Sequence, residues 1–113
     1  MGFIIRILLT GIVVVLLSYL LPGVAVESYI TALVVALVLA LLNLIVKPIL
    51  VIFTLPVTIL TLGLFLFVIN AIIILLVDAF ISGFAIDGFW IALLFSILLS
   101  LFQSILFSFM DRD

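Results

Sequence analysis

The sequence contains no cysteine and no histidine, and only 7% of its residues are charged. Without cysteine the chain has no disulfide, no thiol nucleophile and no thiolate ligand for a metal. Without histidine it lacks the commonest proton carrier at neutral pH. A net charge of −2 and the absence of a basic cluster argue against a nucleic acid partner. We therefore expect a protein that is not an enzyme and that uses no cofactor and no metal.

Hydrophobic residues take the place of the missing polar ones and make up 72% of the 113 residues. Soluble domains contain about half apolar residues and about a quarter charged ones. A soluble domain of this size has too little interior to bury so much leucine, isoleucine, valine and phenylalanine, whereas lipid accepts apolar surface on every side. The composition predicts a single integral membrane domain, residues 1–113, whose first partner is the lipid bilayer.

Four apolar stretches of at least 19 residues are separated by glycine, proline and acidic residues, and they cover 3–21, 28–46, 57–78 and 88–110. A helix that rises about 1.5 Å per residue needs about 20 residues to cross the bilayer hydrocarbon. The pattern predicts an all-α fold with four transmembrane helices. For the first stretch, a cleaved signal peptide is the alternative, because Gly23-Val24-Ala25 resembles a cleavage site. Its length exceeds an h-region of about 7 to 15 residues and favours a retained helix.

The three basic residues lie at positions that four crossings would place on one side of the membrane. Arg6 stands near the start of the first stretch, Lys47 follows the second and Arg112 follows the fourth. The two remaining connections carry Glu27 and Asp87 and no basic residue. The positive-inside bias therefore predicts that both termini are cytoplasmic and that the acidic loops face outward.

One short sequence motif occurs twice, with an offset of 60 residues. GVAVESYITAL at 23–33 aligns with GFAIDGFWIAL at 83–93, so that the two acidic loop residues correspond. Outer loops share a need for a polar cap, an acid near the helix start and an interfacial aromatic ring, which is one explanation. The match continues through three further helical turns, which favours duplication of a helical hairpin. We predict two hairpins that form a parallel repeat, with equivalent loops on the same face.

The stretch KPILVIFTLP, from Lys47 to Pro56, separates the two predicted hairpins. Pro48 suits the first turn of a new helix, and Pro56 would end one. We predict a short helix at 48–56 that lies in the inner interface or is re-entrant. Lys47 would anchor the inner end of the second span through a snorkelling side chain, and a pore-lining or ion-coupling charge is the alternative.

Small residues form matching stripes in the second and fourth predicted helices. At this spacing small side chains let helix backbones approach closely, so both stripes predict helix packing, within the chain or between subunits. A polar pathway along the same faces is the alternative. The predicted packing residues are Ala32, Ala36, Ala40, Ala92, Ser96 and Ser100.

Three carboxamides lie inside the predicted spans. Asn43 and Gln103 extend the two small-residue stripes at equivalent positions, and Asn70 lies near the middle of the third span. Buried amides of this kind are predicted to join helices through hydrogen bonds.

Glu27 and Asp87 are predicted to be charges near helix N-termini, and a carboxylate pair is the alternative.

The segment NLIVKPILVIFTLPVTILTLGLFLFVINA at 43–71, followed by GFAIDGFWIAL, resembles phage holin family 4, the mycobacteriophage-type four-span holin superfamily. The resemblance covers nearly the whole chain and rests on the Asn, Lys-Pro, Thr54-Leu-Pro, Gly-Leu-Phe and Asn-Ala positions. It implies a multi-pass protein of the bacterial cytoplasmic membrane. Holins self-associate and open lesions, so the resemblance also implies a homo-oligomer.

Three functional hypotheses follow. The first is a holin-like protein that self-associates and has a pore or membrane-permeability role. The second is a non-conducting scaffold or assembly partner of another membrane protein. The third is a minimal transporter that works through Asn43, Lys47 and Asn70, which the small number of membrane-embedded charges disfavours.

Overall fold

The computed structural model describes residues 2–111 and the side chains of residues 2–109. Arg112, one of the three cations used to predict the topology, lies outside this range. The described chain consists of five helices and two strands of three residues each, joined by short turns. In chain order the elements are α1 (Gly2–Leu20), β1 (Val24–Val26), α2 (Tyr29–Phe53), α3 (Leu55–Leu60), α4 (Phe65–Phe80), β2 (Phe84–Ile86) and α5 (Phe89–Asp111).

Three of these helices, α1, α2 and α5, are long and apolar enough to cross a membrane. Their first residues lie within one position of the starts predicted at 3, 28 and 88. The fourth apolar helix, α4, has only 16 residues. The prediction of a continuous third span at 57–78 is therefore wrong, because α3 and a turn occupy the first part of that stretch.

The chain turns between α3 and α4 at Leu62 and Gly63, which both have positive φ angles of 56° and 90°. The Gly63 amide donates to the Thr58 carbonyl at 2.8 Å, which closes α3 with a left-handed residue. The Thr61 hydroxyl then accepts from the Phe65 amide at 3.1 Å and satisfies a donor at the start of α4. These local bonds divide an apolar run that hydropathy alone describes as one span.

The second correction concerns Pro48, which lies inside α2 and does not begin a new helix. Proline removes one backbone donor, but transmembrane helices tolerate it when neighbouring groups compensate. The helix ends only at Thr54, whose hydroxyl donates to the Leu50 carbonyl at 2.7 Å. Pro56 lies at the start of α3 and does not end a helix. The short element is thus at Leu55–Leu60 and not at 48–56, and none of its residues is buried.

The four long elements form a bundle in which α1 packs against α2 and α5, while α4 packs against α5 and α2. The two copies of the repeat bury the same positions. Residues 11–20 and 71–80 agree in being buried, half-buried or exposed at every position except one, and the same holds for 31–40 and 91–100. Core residues consequently occur in pairs with the offset of 60, namely Val13 and Ile73, Val14 and Ile74, Leu17 and Val77, Ala32 and Ala92, Val35 and Phe95, and Leu39 and Leu99.

A two-stranded antiparallel ribbon, which the all-α prediction missed, joins the two halves. β1 pairs with β2 so that Ala25 faces Ala85. The amide of Glu27 donates to the Gly83 carbonyl at 2.7 Å, and the amide of Asp87 donates to the Gly23 carbonyl at 2.7 Å. These reciprocal bonds relate the halves by an approximate twofold axis through the alanine pair. They also place both acidic loops at the same end of the bundle.

Gly23 and Gly83 each have a positive φ angle and lie against the other half of the chain, so alanine at either position should destabilise the protein. A Cβ at Gly23 would lie 2.9 Å from the Asp87 Cβ, and one at Gly83 would lie 3.0 Å from a Glu27 carboxylate oxygen. We expect each Gly→Ala substitution to reduce stability by about 1 to 3 kcal/mol, from the left-handed backbone together with the clash. Thermal unfolding in detergent measures the loss.

Gly63 supplies the matched control for these variants. It has φ 90° but no atom within 4 Å of an added Cβ. Gly63→Ala therefore meets only the backbone strain and should lower the midpoint less than Gly23→Ala does. Equal losses at the three positions would show that the ribbon contacts contribute nothing.

Candidate functional site

The two small-residue stripes lie on faces that the chain uses against itself. Ala32, Ala36, Ala92 and Ser96 are all at most 4% exposed, inside the single-chain bundle. Ala40 is half-buried and Ser100 is exposed, both nearer the end opposite the ribbon. In this arrangement the buried part of each stripe is occupied by neighbouring helices of the same chain and is closed to a second subunit.

Where the stripes leave the packed core, a polar cavity of about 160 Å³ opens between α2, α4 and α5. We call it the Lys47 cavity. Apolar side chains, among them Leu39 and Leu99, form its inner wall. Its polar lining consists of Asn43, Lys47, Asn70, Ser96, Ser100 and Gln103. The sequence predicted each of these residues separately, and the structure brings them together.

A second cavity of about 290 Å³, which we call the Arg6 cavity, lies between α1, α2 and α5. It shares Leu39, Asn43 and Gln103 with the Lys47 cavity, so the two adjoin near the twofold axis. The Arg6 guanidinium lies 4.9 Å from the centre of the Phe107 ring, a cation–π distance. Both described cations therefore lie at the end of the bundle away from the ribbon.

The two cavities are related by the same repeat as the core. Adding or subtracting 60 converts most of the Lys47 cavity lining into the lining of the Arg6 cavity. The chemistry differs between the halves, and the Lys47 cavity is the more polar. Its Asn70, Ser96, Ser100 and Lys47 correspond to Thr10, Ala36, Ala40 and Phe107 in the Arg6 cavity.

The polar residues around the two cavities differ in their hydrogen bonds, although Asn43 and Gln103 line both cavities. In the Arg6 cavity the Gln103 side-chain amide donates to the Thr10 hydroxyl at 2.9 Å, and this bond joins α5 to α1. Within residues 2–109, no hydrogen bond or ion pair connects the side chain of Asn43, Lys47 or Asn70 to another group of the protein. Asn43 is exposed, and Lys47 and Asn70 are half-buried, so these donors are accessible to a polar partner from outside the described chain.

An apolar layer closes both cavities on the ribbon side. Val14, Leu17, Val35 and Phe95 are each fully buried there, and Phe95 contacts Phe84 of the ribbon with ring centroids 5.8 Å apart. Neither cavity has a residue of the ribbon in its lining. The polar space therefore ends inside the bundle.

The acidic loop residues are held apart by the ribbon. Glu27 lies opposite Gly83, and Asp87 lies opposite Gly23, four residues further along the ribbon, or about 13 Å at the rise of an extended strand. Both side chains are exposed. The register thus separates the two carboxylates and removes the alternative of a carboxylate pair. Asp78 has a different role, since it accepts from the Ile86 amide at 3.2 Å and stabilises β2.

Two polar lining residues were not predicted from the sequence as site residues. Thr10 resembles any threonine in an apolar run, and Arg6 was used only to predict topology. A signal for Thr10 existed, because the offset of 60 that pairs Asn43 with Gln103 also pairs Thr10 with Asn70. Extending the repeat upstream would have identified it.

Comparison with known proteins gives a family match over nearly the whole chain. The family model described as Mycobacterial 4 TMS phage holin, superfamily IV, matches residues 1–105. The chain is 40% identical to the uncharacterized membrane protein YvlD of Bacillus subtilis over 100 residues, which cover 88% of this chain and 84% of the relative. It is 46% identical to the uncharacterized protein SCO3922 of Streptomyces coelicolor over 79 residues, 66% of this chain and 63% of the relative.

No solved structure matches the chain. The family match and the apolar helices agree on a multi-pass membrane protein with bacterial relatives. The resemblance stated from residues 43–71 is thereby confirmed. This chain belongs to the mycobacterial four-span phage holin superfamily IV.

Proposed function

We propose that the chain is a non-catalytic, non-conducting module of the bacterial cytoplasmic membrane, which presents a polar cavity at one face. The observation that carries this proposal is the apolar layer around Val14, Leu17, Val35 and Phe95, which ends both cavities within the bundle. A protein that conducted through its own bundle would need a polar route past this layer. The module would serve as a scaffold or as an assembly partner of another membrane protein.

The proposed topology has two hairpins that cross in the same direction, with both termini in the cytoplasm. Its support is the separation of charge, since Arg6 and Lys47 line the cavities while Glu27 and Asp87 flank the ribbon at the opposite end. Helix α4 is about 24 Å long at its helical rise, short of the roughly 30 Å of hydrocarbon. The preceding turn would cover the difference on the cytoplasmic side.

Helix α3 fits this topology as an interfacial element. Ile59 and Leu60 are 70% and 83% exposed, and no residue of the helix is buried by the rest of the chain. Lipid at the level of the headgroups and upper acyl chains would cover this apolar surface.

A holin-like role is the second candidate, and membership of the holin superfamily favours it. In this hypothesis, copies of the chain associate into a homo-oligomer that opens a lesion. The buried small residues are already used within the chain, so association would use lipid-facing side chains such as Ile12, Leu16 and Leu37, which are 41% to 51% exposed.

Inducible expression in bacteria separates the two candidates. We expect no dye entry and no potassium loss at membrane levels where a known holin, expressed in parallel, permeabilises the cells. Immunoblotting of the membrane fraction would establish equal amounts of the two proteins. Prompt permeabilisation by this chain would contradict the non-conducting proposal and support the holin-like role.

A further inference from the structure

The Lys47 cavity has more polar side chains than the related Arg6 cavity, and helix packing does not require them. Alanine at 36 and 40 allows the helices of one half to pack, and Ser96 and Ser100 stand at the equivalent places in the other half. Thr10 accepts a hydrogen bond from Gln103, whereas the counterpart of Thr10, Asn70, has no protein partner for its side chain within residues 2–109. Within residues 2–109, the side chains of Lys47, Asn70 and Ser100 thus make no hydrogen bond to the protein, whereas the Ser96 hydroxyl donates to the Leu93 carbonyl at 2.8 Å.

The lining of the Lys47 cavity has the chemistry of an anion site. One ammonium group, three carboxamides and the Ser100 hydroxyl supply hydrogen-bond donors, and no acidic residue is present in the lining. The Ser96 hydroxyl can only accept, because it already donates to the Leu93 carbonyl. A lysine ammonium is a common partner of phosphate groups. The volume of about 160 Å³ exceeds that of several water molecules at about 30 Å³ each, and it is smaller than pockets for drug-sized ligands.

The surroundings indicate that the anion belongs to an amphiphile. Asn43 and Ser100 are exposed, so the cavity is open at the bundle surface. The adjoining Arg6 cavity shares Phe3 and Ile7 with a groove of about 350 Å³ between α1 and α2, whose lining residues are all apolar. The apolar groove thus borders the Arg6 cavity and reaches the Lys47 cavity by way of it, which places apolar and polar surface side by side as a headgroup and its acyl chain require.

We propose that the Lys47 cavity binds the phosphate group of an anionic phospholipid from the leaflet on the basic side of the bundle. Lys47 supplies the charge, Asn43 and Asn70 donate to phosphate oxygens, and the apolar groove, reached past the adjoining Arg6 cavity, receives an acyl chain. This inference deepens the proposed function and rests on it, because a bound lipid would be the group that the module presents or organises.

Lipid binding to the purified protein in detergent tests this proposal. The probe is dioleoylphosphatidylglycerol, and dioleoylphosphatidylcholine has the same chains with a neutral headgroup. Native mass spectrometry counts bound lipids over a titration. We expect saturable binding of phosphatidylglycerol at least tenfold tighter than that of phosphatidylcholine, and about a tenfold loss of this binding in Lys47→Gln. Equal affinity for the two lipids would overturn the proposal.

A second variant guards against a folding defect in Lys47→Gln. The double substitution Ser96→Ala and Ser100→Ala installs the side chains that the related half already carries at 36 and 40. It should keep the unfolding midpoint and weaken phosphatidylglycerol binding several-fold. Arg6→Gln, in the other cavity, should weaken it less than Lys47→Gln does. Unchanged binding in both Lys47→Gln and the double variant would refute the site.

Inorganic phosphate distinguishes the source of the anion. We expect millimolar phosphate to leave phosphatidylglycerol binding within twofold of its value, because it lacks the acyl chain. Displacement of the lipid by millimolar phosphate, dependent on Lys47, would identify a soluble anion as the ligand and overturn the lipid assignment. The detergent measurement does not depend on membrane leakage, so failure of the lipid site and failure of the non-conducting proposal can be told apart.

Discussion

A chain that carries both Ala25→Cys and Ala85→Cys should form an intramolecular disulfide almost completely under mild oxidation. The two alanines face each other in the ribbon, and both are exposed. Directly opposed residues in an antiparallel pair have Cα atoms about 4.5 to 5.5 Å apart, within the range that disulfides require. The protein has no native cysteine, so the bond can have only one pairing within a chain. A mobility shift that reductant reverses measures it.

The disulfide experiment has strong controls. Either single variant should give no fast-migrating species, and co-expression of the two single variants should give no cross-linked dimer if the ribbon is intramolecular. Ala25→Cys combined with Ile59→Cys, in α3 at the other end of the bundle, should also give none. Absence of the bond in the double variant would contradict the ribbon and the arrangement of hairpins that depends on it.

Leu17→Ala should reduce stability by about 2 to 4 kcal/mol, which is the second large effect. Leu17 is fully buried in the apolar layer between the cavities and the ribbon. Transfer of the side chain out of water contributes little to this loss in a membrane, since lipid is as apolar as the core. The loss comes from the packing contacts of the missing atoms, which rigid neighbouring helices cannot replace.

The adjacent Leu16 provides the matched control, because it lies on the same helix and is 41% exposed. Lipid chains can fill the space that Leu16→Ala creates, so we expect a loss below about 1 kcal/mol. Thermal unfolding of both variants in the same detergent gives the comparison. Similar losses at the two positions would show that the bundle is not packed as described.

The repeat could be inferred from the sequence because its two copies keep residues of the same type at the less common positions. Glycine, alanine, acidic and amide positions match at the offset of 60, and each match reflects a local requirement of a loop or a helix contact. The structure uses that repeat twice, in the core pairs and in the two cavities. The ribbon could not be predicted, because its two strands of three residues are too short to show a pattern and pair across about 60 positions.

The predicted helix boundaries at the basic end of the bundle were wrong for a related reason. Pro48 and Pro56 are strong local signals, but whether a proline ends a helix depends on what surrounds the backbone group that it leaves unpaired. The actual ends are set by side-chain bonds of Thr54 and Thr61 and by the left-handed Leu62 and Gly63. These bonds form only once the turn exists, so composition does not reveal them.

The sequence by itself determined the membrane class, the apolar helices and the doubling of the hairpin, because hydropathy, length and residue periodicity act locally along the chain. The tertiary structure decided which faces meet, where the polar residues gather and which cavity holds Lys47 and Asn70, whose side chains have no partner within residues 2–109. Asn43, Lys47, Asn70 and Ser100 come from three helices, and their shared cavity depends on how those helices separate beyond Leu39 and Leu99. Proximity between distant segments is a property of packing, and a linear pattern does not encode it directly.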